Sequence, residues 1–89
     1  MKCTVGQIAA FLELKFRGNG DRPVAGISEF SASDGDSLVF MDGARGGFPQ
    51  NFAPACVITT RLLASTLPDS VNVIFSEQPK LDFVKAATI

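Results

Sequence analysis

The rhythm of apolar positions changes along this chain, and each rhythm predicts a different element. Near the amino terminus Val5, Ile8, Ala9 and Leu12 recur at three- and four-residue spacing with Phe11 alongside, the stripe of an amphipathic helix. Thr4-Val5-Gly6-Gln7 ahead of them has the form of a capping box, a hydroxyl and, three residues on, an amide that satisfy each other's free backbone N–H groups. The spacing predicts a helix over about Val5 to Glu13. Leu14-Lys15-Phe16-Arg17 then alternates at period two, as a half-buried strand does. Val24-Ala25-Gly26-Ile27 is its expected partner across the Gly18–Pro23 turn, which makes an N-terminal hairpin.

Beyond the hairpin the alternation gives way to continuous apolar runs, Leu38-Val39-Phe40-Met41 and Ala55-Cys56-Val57-Ile58, and to Val71-Asn72-Val73-Ile74-Phe75, which only Asn72 interrupts. Runs of this kind suit strands covered on both faces, as in parallel sheets. Arg61-Leu62-Leu63-Ala64-Ser65 reads as a helix capped by Thr59 or Thr60. Pro79 to Ile89 reads as a second, with Pro79 in the first turn and Leu81, Val84 and Lys85 at helical spacing. The order β-α-β-α-β-α predicts a single α/β domain over residues 1–89: a small, mostly parallel sheet with flanking helices plus the N-terminal hairpin. No internal repeat is present, and in particular none of six residues. The last helix lacks a C-cap glycine, so the chain is expected to be the front of a longer protein.

Charge and composition remove several function classes. Eight Lys and Arg against nine Asp and Glu give a formal net charge of −1, and the basic residues are scattered, which argues against nucleic-acid or polybasic membrane contacts. No run approaches the ~20 apolar residues of a membrane span, no export signal is recognisable, and the expected location is the cytoplasm. The two cysteines, Cys3 and Cys56, are far apart and no histidine accompanies them, so a structural zinc site is not expected. A disulfide between them is one reading and reduced thiols the favoured one, with Cys56 as a small buried hydrophobe.

Candidate chemistry is correspondingly sparse. With no histidine the usual general base is missing, and no catalytic residue is assigned. Asp34-Gly35-Asp36 reads as a turn, in which Asp bonds its own backbone, and Gly18-Asn19-Gly20 as a hairpin turn, not a phosphate loop. Asp42 follows the run Leu38–Met41 and so falls beyond a strand's carboxyl end, where open α/β sheets bind ligands; turn or cap duty is the commoner role of such an Asp. Asp42-Gly43-Ala44-Arg45-Gly46-Gly47-Phe48 supports two readings: a binding loop whose Arg45 meets an anionic group, or a plain connection with one Phe in the core. All eight aromatics are Phe; Phe11, Phe16, Phe30, Phe75 and Phe83 are expected in the core, while Phe40, Phe48 and Phe52 bracket the glycine loop and offer faces for a flat heterocycle.

Over nearly its whole length the chain resembles the N-terminal domain of the bacterial UDP-3-O-acylglucosamine N-acyltransferases of lipid A biosynthesis. The resemblance rests on Gly18-Asn19-Gly20 closing a strand, Val24-Ala25-Gly26-Ile27, Ala32 to Gly35 leading into the Phe-ended strand Leu38-Val39-Phe40-Met41, and the strand and helix of Val71–Glu77 and Gln78–Ile89. It implies a uridine-binding domain with a fold like that of muramyl-ligase N-terminal domains, no cofactor, and a UDP-sugar as ligand. Acyl transfer, contact with acyl carrier protein and a homotrimer would belong to the downstream region of a longer enzyme. Phe40 matches the family's strand-end Phe. The family's Asn-Pro-x-Tyr element is replaced by Gly43-Ala44-Arg45-Gly46-Gly47-Phe48, so its Asn and Tyr contacts have no counterpart, and Phe48 is the ring left to stack on uracil beside Phe40. Asp42, Gly43 and Arg45 are the candidate phosphate or loop contacts. Two other readings remain: an assembly domain of the same fold without nucleotide binding, and the N-terminal substrate domain of a muramyl ligase.

Overall fold

The computed structural model describes residues 3–28, 35–43 and 53–88. A two-residue strand, β1 (Cys3–Thr4), leads directly into helix α1 (Val5–Leu12). The capping box forms as its residues require: Gln7 N donates to Thr4 Oγ1 at 3.2 Å, and Thr4 N donates to Gln7 Oε1 at 2.9 Å. The helix ends one residue earlier than its apolar spacing predicts. Glu13 turns left-handed at φ 58°, its N–H reaches Ala10 O, and Leu14 N reaches Ala9 O, a paired closure that uses up the last carbonyls.

Strands β2 (Phe16–Arg17), β3 (Pro23–Val24), β4 (Gly26–Ile27), β5 (Ser37–Met41), β6 (Cys56–Thr59) and β7 (Val73–Phe75) follow, with α2 (Arg61–Ala64) between β6 and β7 and α3 (Pro79–Ala86) last. Five of the strands make one mixed sheet in the order β2-β7-β6-β5-β4. Its β5, β6 and β7 are parallel, as their apolar runs predict; β4 is also parallel, beside β5, while β2 runs antiparallel along β7.

The expected N-terminal hairpin does not form. Phe16 and Arg17 pair with Ile74 and Val73, Pro23–Val24 pairs with β1, and Gly26–Ile27 joins the main sheet beside Ser37 and Leu38. The turn between them is bound elsewhere: Asn72 Oδ1 accepts Asn19 N at 2.7 Å, and its Nδ2 donates to Ala55 O at 3.0 Å. Gly18 sits at φ +100°, and a Cβ there would lie 2.1 Å from Asn72 Oδ1. Glycine is therefore required by both backbone and space.

Side chains alternate across the sheet into two cores. Leu38, Cys56, Ile58 and Ile74 bury themselves under α1 and α3 with Val5, Ile8, Ala9 and Ala86. Val39, Met41, Val57 and Val73 face the other way, onto Ala64, Leu67 and Val71 of the α2 region. Successive residues of β5 and β6 are thus buried on opposite faces, which is why neither strand carries a polar position between its ends. Of the phenylalanines expected inside, Phe75 and Phe83 pack against these cores, whereas Phe11 and Phe16 are 54% and 39% exposed. Phe11 falls off the Val5–Ile8–Ala9 stripe, and Phe16 lies on an edge strand; Phe30 is outside the described residues. Among the described residues no helix is long and apolar enough to cross a membrane.

Candidate functional site

Parallel strands end together, so β5, β6 and β7 bring three connections to one edge: Asp42–Gly43, Thr60–Arg61 and Ser76–Gln78. The chain leaves β6 by α2 on one face of the sheet and leaves β7 by α3 on the other. Neighbouring strands whose connections part to opposite faces open a crevice at their carboxyl ends, the usual ligand position in open α/β sheets.

Hydrogen bonds fix the floor of this edge. Thr59, fully buried, donates from Oγ1 to Met41 O at 2.6 Å, tying the ends of β6 and β5. Ser76 N donates to Thr59 O at 2.8 Å, tying β7 to β6. The Ser76 hydroxyl donates to the Asp82 carboxylate and accepts Gln78 N at 2.9 Å, which sets the entry to α3 with Pro79 in its first turn. Thr60 Oγ1 accepts Leu63 N at 3.1 Å and so caps α2, the second of the two caps its sequence offers.

Phenylalanine rings flank the edge on both faces. Phe40, half-buried, lies on the α3 side with its ring centroid 4.9 Å from that of Phe83, tilted by 46°. Phe75 lies on the α2 side, and the Arg61 guanidinium stands 4.3 Å above its centroid. Asp42 and Gly43 are exposed just past Met41. Of the residues the sequence nominates, Phe40, Asp42 and Gly43 therefore gather at the end of β5; Arg45 and Phe48 lie outside the described residues. Phe40 is already engaged by Phe83, so one part of its ring is committed to the core.

Sequence reasoning missed Arg61 and Phe75 as a pair. They are fourteen positions apart, and only the register Thr59↔Phe75 between β6 and β7 places one over the other. Apolar spacing assigns Phe75 to the core, which is half of its situation.

Two clefts lie elsewhere, toward the start of β5. One of about 370 Å³ is lined by Cys3, Thr4, Gln7, Pro23, Val24 and Ala25, and one of about 300 Å³ by Ala25, Gly26, Ile27, Asp36 and Ser37. Thr4 and Gln7 spend their polar atoms on each other in the capping box, leaving the first cleft with a mostly apolar wall. The second cleft carries the polar residues Asp36 and Ser37, whereas the carboxyl edge presents the exposed Asp42 and Arg61. Both cysteines are free thiols. Burial among Leu38, Ile58 and Ile74 pushes the Cys56 thiol from an ordinary 9.0 up to about 12, against weaker opposing hydrogen bonds, so Cys56 is a packing residue and not a nucleophile. Among the described residues no cluster of three or more His, Cys, Asp or Glu is placed to hold a metal ion. In comparisons with protein-family models and with curated proteins, none matches this chain.

Proposed function

We propose that this chain is a recognition domain for the uridine diphosphate sugar of an N-acyltransferase acting in cytoplasmic lipid A biosynthesis, with a fold of the muramyl-ligase N-terminal kind. The observation that carries the reading is the position of Phe40. Phe40, which matches the family's strand-end Phe and is read as a stacking face for uracil, is the penultimate residue of β5 at the carboxyl edge of a parallel sheet, one residue ahead of the exposed Asp42–Gly43 step. On the same reading Phe48 is the second stacking face and Arg45 the cation that meets an anionic group, both from the connection after β5 that lies outside the described residues. The domain binds and orients the nucleotide, while acyl transfer, acyl carrier protein and trimer formation belong to the region that follows in the family.

Titration calorimetry of the chain with UDP and UDP-N-acetylglucosamine tests the proposal. Saturable binding is expected, weakened by Phe48→Ala by about 0.5–1.5 kcal/mol, the worth of one good aromatic contact. Absence of any heat or saturation with either nucleotide would remove the reading. The N-terminal substrate domain of a muramyl ligase makes the same prediction for uridine and differs in the chain that follows.

A second reading, an assembly domain of the same fold without nucleotide, is favoured by exposed apolar side chains. Leu62 is 80% exposed on α2, and Leu81 and Val84, three residues apart on one face of α3, are 48% and 55% exposed. Under that reading the double substitution Leu81→Ser with Val84→Ser lowers the apparent mass in size-exclusion chromatography, and nucleotide has no effect.

A further inference from the structure

Arg61 is placed as an anion contact that the sequence motifs do not nominate. Its guanidinium carbon lies over the Phe75 ring, 4.3 Å from the centroid, and the residue is exposed to solvent. Among the described residues no carboxylate pairs with it. It stands where the chain leaves β6, in the crevice between β6 and β7, on the same edge as Asp42 and the end of β5. A planar cation resting on a ring, exposed at a sheet's carboxyl edge and without a carboxylate partner among the described residues, suits a phosphate. Among the described residues this edge also carries the acidic Asp42 and Glu77, both exposed, and the Asp82 carboxylate bonded to the Ser76 hydroxyl, so an anion would be held by the local guanidinium and not by the field of the edge as a whole.

We infer that Arg61, oriented by Phe75, meets the diphosphate of the nucleotide ligand. This rests on the uridine nucleotide reading above and deepens it, because uracil and diphosphate would then contact different strand ends. A guanidinium that merely covers an apolar ring is the competing explanation. It predicts a change in stability on substitution and none in anion binding.

The test follows the Arg61 Nε–Hε resonance and the affinities for uridine, UDP and inorganic pyrophosphate in the wild-type chain and in Arg61→Gln. Both UDP and pyrophosphate should shift the Arg61 resonance. Arg61→Gln should weaken UDP by roughly tenfold or more, the scale of one charge-assisted contact, and leave uridine unchanged. Phe75→Leu, which keeps the apolar cover and removes the ring face, should weaken UDP in the same direction with the arginine intact. If pyrophosphate shifts Arg61 but uridine does not bind, the anion site stands and the nucleotide reading falls. If neither UDP nor pyrophosphate moves the Arg61 resonance, or Arg61→Gln weakens uridine and UDP equally, the inference is overturned whatever uridine does.

Discussion

The ring of Phe40, the penultimate residue of the sheet's β5 strand, meets the Phe83 ring of the last helix at 4.9 Å between centroids. This contact couples the strand that leads into the candidate binding edge to a helix 43 positions further along the chain. Phe40 is thereby positioned as well as packed, and the two roles separate by experiment. Phe83→Ala should cost about 2–3 kcal/mol in denaturant unfolding, below the full range for a completely buried Phe. A double-mutant cycle with Phe40→Leu should return a coupling of about 0.5–1.5 kcal/mol; zero coupling would mean that the two rings pack independently.

Gly18 and Gly43 give a contrast between a glycine that the fold requires and one that it does not. Gly18→Ala forces a Cβ toward Asn72, whose side chain holds both Asn19 N and Ala55 O, at a backbone φ that L-residues seldom adopt. The expected loss exceeds about 2 kcal/mol. A Cβ at Gly43 meets nothing within 4 Å, so Gly43→Ala should leave the melting temperature nearly unchanged. Any effect of that variant on nucleotide affinity then reports on the site. Equal destabilisation by the two substitutions would contradict the assignment.

The buried thiol carries a pH dependence of defined sign. The folded state holds Cys56 protonated up to about pH 12, while in the unfolded chain the thiol ionises near its ordinary 9.0. The unfolded state therefore binds fewer protons between these values, and stability falls as pH rises through that window, by up to ~1.4 kcal/mol per pH unit. Below pH 9 the group contributes no slope. Cys56→Ala should flatten the alkaline limb of the stability profile relative to wild type. In native protein, thiol reagents should label the half-exposed Cys3 and spare Cys56 until the chain unfolds.

Arg17 looks like a buried clamp, and its bonds argue otherwise. Its Nη2 reaches Ala64 O at 3.3 Å and Pro68 O at 3.4 Å, both long, and its Nε has no hydrogen-bond partner. The two carbonyls also accept Leu67 N and Val71 N, so neither is orphaned by removing the arginine. Arg17→Met should change stability by less than about 1 kcal/mol in either direction, with gain as acceptable as loss. A loss of about 3 kcal/mol would show that the guanidinium supports the fold after all.

Local chemistry was readable in the sequence wherever it acts over a few residues. Thr4 and Gln7 announce the start of α1, Thr60 caps α2, Pro79 opens α3, and the continuous apolar runs mark β5, β6 and β7 as strands covered on both faces. Pairing over distance was not readable. The alternation of Leu14–Arg17 shows that one side is buried without naming the partner, and β7, far along the chain, takes the place that proximity gives to Val24–Ile27. The same limit applies to the site. Asp42 is legible as a strand-end residue because its own strand precedes it, whereas the Arg61–Phe75 contact exists only through the register of two strands.

The central claim is that the carboxyl edge of the parallel sheet recognises a uridine nucleotide, and backbone amide shift mapping during titration with UDP-N-acetylglucosamine tests it most directly. The account predicts saturable shifts concentrated at Asp42, Gly43, Thr60, Arg61 and Ser76, the residues just past β5, β6 and β7. Shifts concentrated instead at Cys3, Thr4, Val24 and Ala25, around the apolar cleft at the opposite end of the sheet, or no saturable shift at all, would contradict it.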